Sequence, residues 1–95
     1  MKLITVEVEF GASDLSAAVD LISGQVDTVL AMPGCTHYAL YRKPSDDGVA
    51  IVQQWDGMAA FDAYRGSETF AALGAGLRPL MVKPPVTTIA EVDTL

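Results

Sequence analysis

One cysteine, one histidine and one tryptophan in 95 residues exclude more chemistry than the abundant residues suggest. A single cysteine rules out an internal disulfide and suits a reducing compartment, so a cytoplasmic location is expected. A single histidine cannot build a histidine zinc site by itself, and the sequence has no Cys-x-x-Cys or His-x-x-x-His pair. No metal site is therefore expected. Cations are scarce as well: 6 Lys and Arg stand against 12 Asp and Glu, for a net charge of -6, and nowhere do they cluster. Nucleic acid and membrane surfaces are poor partners for such a chain. No apolar run approaches the length of a membrane span. The N-terminal stretch alternates as Leu3-Ile4-Thr5-Val6-Glu7-Val8-Glu9, which describes a strand and not a signal peptide. Gly74-x-Gly76 lacks the preceding strand that a phosphate or dinucleotide loop requires, and no nucleophile elbow is present.

What is there is largely apolar. The chain is 51% hydrophobic and only 19% charged. A single domain of this size, residues 1–95, buries about two-thirds of its unfolded surface. Self-association is the economical way to hide the remaining apolar excess, so a homodimer is expected.

The periodicities lay out an α+β domain. Residues 2–10 alternate, with Ile4, Val6, Val8 and Phe10 on one face and Leu3, Thr5, Glu7 and Glu9 on the other. Gly11-Ala12 turns the chain, and Ser13, followed by Asp14, reads as the N-cap of a helix. Leu15, Val19, Ile22, Val26 and Val29 line one side of that helix to about Ala31, with Gly24 as a weak point. Pro33-Gly34 ends it and opens a strand through about Arg42. The turn formers Lys43-Pro44-Ser45-Asp46-Asp47-Gly48 close a hairpin with a strand over 49–55. Asp56 caps a short helix over 57–64, Gly66 ends it in a left-handed conformation, and Ser67 caps the next. Phe70, Leu73 and Leu77 share a face of that second piece. Pro79 and Pro84-Pro85 force an extended entry into a last strand, about Val86 to Val92. The order β-α-β-β-α-β is a ferredoxin-like split arrangement with a four-stranded antiparallel sheet. Helices cover one sheet face; the other, also rich in Val, Leu and Ile, is left for a second copy.

Few residues bring chemistry. Trp55 ends the third strand, within reach of Phe61, Tyr64 and Phe70 on the broken helix, and reads either as packing or as the wall of a flat aromatic pocket. Tyr64 either hydrogen-bonds a ligand hydroxyl or keeps its own in water. His37, in phase with Cys35, Ala39 and Tyr41 on the second strand, is either a satisfied strand histidine or a base for a phenolic proton. Cys35 has no obvious cation beside it and reads as an inert thiol. Glu7 and Gln53 are polar residues on otherwise apolar strands, facing either the cavity or solvent.

Pro33-Gly34 opening strand 2, Trp55 ending strand 3 and Tyr64-x-x-Ser67-x-x-Phe70 after it resemble the signature of the antibiotic biosynthesis monooxygenase family, over Met1 to about Val92. In that family His is common where Tyr64 stands. The resemblance implies a dimeric α+β barrel in which two sheets face each other. It also implies a cofactor-independent monooxygenase acting on a small electron-rich aromatic with O2, the substrate supplying the electrons. In that reading His37 is the base, Tyr64 the hydrogen-bond donor and Trp55 the wall, with Phe61, Phe70, Gln53 and Glu7 completing the substrate site. Haem-degrading members carry an Asn, a Trp and a His where this chain has Glu7, Tyr64 and Gly74, which argues against haem. Members that oxidise polyketide dihydroquinones pair the tryptophan with an Asn and a Tyr; here those places hold Ile51 and Phe61. Two alternatives stay open: a non-catalytic small-molecule binder or stress-linked dimer, and an isomerase or decarboxylase in the same pocket.

Overall fold

Strand alternation decides which side chains meet the helices. The computed structural model describes residues 1–44 and 46–93, so Ser45 of the hairpin turn lies outside the described residues. The elements follow in the order β1 (Lys2–Glu9), α1 (Leu15–Ser23), α2 (Val26–Leu30), β2 (Cys35–Arg42), β3 (Gly48–Trp55), α3 (Met58–Arg65), α4 (Glu68–Leu77), a short 3-10 turn (Arg78–Leu80) and β4 (Val86–Glu91). The sheet is antiparallel with strand order β2-β3-β1-β4. This is the expected ferredoxin-like α+β topology.

β1 sets the frame because it pairs on both sides. Ile4 lies opposite Gln53 of β3 and Ile89 of β4, and Val8 opposite Val49. Ile4 and Val8 of β1, and Phe10 just beyond it, are buried, as are Tyr38 of β2 and Val49, Ile51, Gln53 and Trp55 of β3. Leu15, Ala18, Ile22, Val29, Phe61, Tyr64, Leu73 and Leu77 of the helices close over them. The alternate strand positions, Leu3, Ala39, Ala50 and Val52 among them, point away from this core and are only partly buried. The faces of β1 therefore divide as the alternation predicts.

Four local expectations change, one being that Gly57, not Asp56, precedes α3 and no side chain caps it. The long first helix is two, α1 and α2, broken at Gly24-Gln25, where Gly24 N–H closes on Asp20 C=O and Gln25 N–H on Ile22 C=O. Ile22 and Val29 stay buried on either side of the break, so the apolar stripe survives it. Asp14, not Ser13, is the residue preceding α1, and its side chain makes no capping hydrogen bond. Gly66 ends α3 with φ -87°, outside the left-handed region. Ser67 acts as expected and does more: its Oγ accepts from Phe70 N–H at 3.2 Å and donates to the Tyr64 carbonyl at 2.6 Å. One hydroxyl thus ties the end of α3 to the start of α4. Gly34 has the one positive φ among the described residues, +85°, and its carbonyl accepts from Asp56 N–H at 2.8 Å, locking the entry of β2 to the exit of β3.

Candidate functional site

Between the sheet and α3–α4 lies a cavity of about 250 Å³. Val6, Tyr38, Ile51 and Gln53 form its floor, and Phe61, Tyr64, Phe70 and Leu73 its helical side. Its volume lies just below the range of drug-sized ligand clefts, which suits one or two rings. Most of the lining is apolar, and among the described lining residues there is no carboxylate and no imidazole.

Its polar groups are few and fixed. Gln53 is 2% exposed and accepts a hydrogen bond from the Trp55 indole, Nε1 to Oε1, at 3.0 Å. Indole can only donate, so the amide atom facing it must be the oxygen. The two amide N–H donors are left for the cavity, and no protein partner takes them among the described residues. Beside this amide, the Tyr38 and Tyr64 hydroxyls share a hydrogen bond of 3.3 Å, both residues being buried. Burial pushes both phenols above their ordinary pKa; the shared hydrogen bond raises Tyr38 further and pulls Tyr64 partly back. Either hydroxyl can donate in this bond. Whichever hydroxyl accepts keeps its own proton for a ligand in the cavity.

Tyr64 is also the hub of an aromatic cluster. Its ring stacks on Trp55 at 5.3 Å and 21° and meets Phe70 edge-on at 5.2 Å. Such pairs favour offset stacking and edge-to-face contact because of the ring quadrupole. The Ser67 tie explains why the spacing Tyr64-x-x-Ser67-x-x-Phe70 matters: it fixes the two rings against one another across the α3–α4 junction.

Two sequence-based assignments are corrected. His37 does not reach the cavity. A β-bulge between Cys35 and His37 breaks the phase of β2: Cys35 lies opposite Trp55 on the helix side, whereas His37 lies opposite Gln54 on the far face of the sheet. An extra residue reverses the side on which everything after it emerges. His37 is therefore removed as the base of this cavity, and its neighbour Tyr38 takes the inward position. Glu7 also emerges on the far face, where it pairs with Lys43 at 3.0 Å.

Trp55 needs a finer correction. It is wholly buried and does not line the cavity; Tyr64 stands in front of it. Its place is behind the wall, holding Gln53 by one face of the chemistry and Tyr64 by the other. Phe61, Phe70, Tyr64 and Gln53 do line the cavity. Cys35 is half-buried against the core, and burial pushes its thiol above the ordinary value. Sequence reasoning passed over Tyr38, whose inward position depends on the bulge, and Arg65, whose guanidinium lies 4.7 Å over the Phe61 ring at the cavity edge.

Solved structures with the same fold are numerous. A Nitrosomonas europaea protein provisionally assigned as an antibiotic biosynthesis monooxygenase superposes with a TM-score of 0.91 at 11% identity, covering 97% of this chain and 98% of its own. A Deinococcus radiodurans protein with the same provisional assignment gives 0.91 at 15% identity, covering 100% and 95%. A Mycobacterium tuberculosis protein gives 0.85 at 22% identity, covering 99% and 98%. At these identities the likeness concerns the fold alone. No curated protein matches the chain at a significant level. The family model for antibiotic biosynthesis monooxygenases, by contrast, matches residues 3–75, a span holding the bulged strand, Gln53, Trp55 and the Tyr64–Ser67–Phe70 junction. The chain belongs to the antibiotic biosynthesis monooxygenase family.

Proposed function

We propose that the cavity binds a small electron-rich hydroxyarene, a phenol or quinol of one or two rings, and promotes its oxidation by O2. The observation that carries this reading is the Gln53 amide. A carboxamide whose oxygen is taken by Trp55 leaves its two N–H donors at the surface of an apolar slot, where a ligand oxygen can take the place of water. A phenolate or quinone oxygen satisfies them, and the Tyr64 hydroxyl supplies a further donor beside them. The apolar side chains of Ile51, Phe61 and Phe70 sandwich the rings.

The chemistry needs little else from the protein. A phenolate carbon gives one electron to O2, and the resulting radical and superoxide combine to form a C–O bond. The hydroperoxide then breaks its O–O bond, the ring loses a proton and water departs, leaving a quinone. One phenol and one O2 thus become one quinone and one water. Gln53 and Tyr64 stabilise the negative oxygen through this sequence. With no imidazole among the lining residues, the ligand gives its proton to water and enters as the anion.

The test is oxygen consumption with a panel of naphthols and dihydroquinones. Wild type should consume O2 with a rate that climbs with pH through the ligand's own phenol pKa. Gln53→Leu should lose at least tenfold, while His37→Ala stays within twofold. Ligand binding with no oxygen uptake would replace this reading by a non-catalytic binder, which the lack of a base in the lining favours. We also infer a homodimer through the far face of the sheet, where Leu3, Ala39, Ala50 and Val52 lie beside one another on adjacent strands. Such interfaces bury on the order of 2,000 Å², and light scattering at micromolar concentration should give twice the chain mass.

A further inference from the structure

The surroundings of the cavity mouth point to the ligand's second functional group. Phe70, Gly74, Met81 and Pro85 belong both to the cavity and to an outer groove that Arg78 and Lys83 complete. In a chain with a net charge of -6, the cavity and this groove together carry Arg65, Arg78 and Lys83 and no acidic side chain among the described lining residues. Half of the 6 cations of the sequence are gathered around one opening.

These cations are not equivalent. Arg65 pairs with Asp62 and covers Phe61, and Lys83 pairs with Glu9 at 3.2 Å. Arg78 forms no ion pair and no side-chain hydrogen bond among the described residues. It stands at the end of α4, where a cation is favoured by the helix dipole. Its side chain, however, lies back one turn along the helix, the ordinary direction for a helical side chain. One guanidinium nitrogen comes within 3.2 Å of where a Cβ on Gly74 would sit. The guanidinium therefore lies over Gly74, a residue shared by the cavity and the outer groove.

Resting on the reading that the cavity takes a hydroxyarene, we propose that its ligand is an aromatic acid. The ring hydroxyl meets Gln53 and Tyr64 at the inner end, and a carboxylate at the opposite end of the ring system is held at the mouth by Arg78. A planar guanidinium matches a carboxylate with two parallel hydrogen bonds. The site thus discriminates by charge at the mouth and by hydrogen bonding within.

Isothermal titration of the whole protein with 6-hydroxy-2-naphthoate and with 6-hydroxy-2-naphthamide tests this. The two probes share the ring and the hydroxyl and differ in charge at the far end. The acid should bind at least tenfold more tightly at low salt, and the preference should shrink as salt is raised. Arg78→Gln should cut the ratio of affinities below threefold, while Arg78→Lys, which keeps the charge, should preserve most of it. Equal binding of both probes to wild type overturns the aromatic-acid proposal and leaves the hydroxyarene reading standing. Binding of neither probe overturns both.

Discussion

The hydrogen bond between Trp55 and Gln53 makes a quantitative demand on stability. Trp55→Phe removes the indole N–H, leaves the Gln53 oxygen buried without a donor and opens a small void against Tyr64. A stranded buried acceptor costs roughly 1–3 kcal/mol. Truncating a buried aromatic completely costs about 3–5 kcal/mol, so losing part of the indole adds about 1 kcal/mol. The single variant should therefore lose about 2–4 kcal/mol. Gln53→Leu strands the indole N–H instead, at about 1–3 kcal/mol. In the double variant neither group is left unpaired, because an apolar pair of similar shape is close to neutral. The two single losses should consequently exceed the double loss by at least about 2 kcal/mol, well beyond the scatter of independent sites. Urea unfolding followed by far-UV circular dichroism measures all four corners of the cycle. Additivity to within about 0.5 kcal/mol would refute the claim that Trp55 serves to hold the Gln53 amide.

Two further outcomes follow from the backbone and the phenols. Gly34→Ala places a methyl group 2.5 Å from Asp56 Oδ1 and 2.7 Å from Ala60 Cβ at a φ of +85°; strain and overlap together should cost about 2–4 kcal/mol, and an unchanged urea midpoint would contradict the packing described. Tyr38 and Tyr64 have pKa values raised above their ordinary value of 10.0, so folding favours their neutral forms. Their contribution is complete below pH 10, the unfolded value, and is lost as pH rises above it. Stability should fall there by up to about 1.4 kcal/mol per pH unit for each phenol, and Tyr38→Phe should flatten the fall in unfolding curves taken from pH 9 to 11.

Which parts of this could be read from the sequence depends on the range of the interaction involved. Strand alternation in residues 2–10, the Ser67 cap and the proline-led last strand are local, and the structure repeats them. The aromatic cluster was legible because strand 3 and the broken helix adjoin in the chain. The bulge at Cys35–His37 was not, since it exists only in the pairing of β2 with β3. That one irregularity exchanged His37 for Tyr38 in the cavity. Glu7 is settled by structure for a related reason: alternation gives phase but not which face the helices cover, and Glu7 pairs with Lys43 on the other side. Trp55 was recognised as central, yet its role behind Tyr64 depends on a ring geometry that no spacing reveals. The place of Arg78 over Gly74 depends on the fold that sets α4 beside the last strand.

The burial of the one tryptophan has a practical use. Its indole sits a single ring behind the cavity, stacked on Tyr64, so the protein contains its own fluorophore directly behind that cavity. All tryptophan emission comes from that site, with no background from elsewhere in the chain. A molecule that settles against the outer face of Tyr64 should alter the intensity or wavelength of that light. Metabolite collections can then be screened without label and without knowing the reaction, and the compounds that dim or shift the signal become the short list for oxygen uptake.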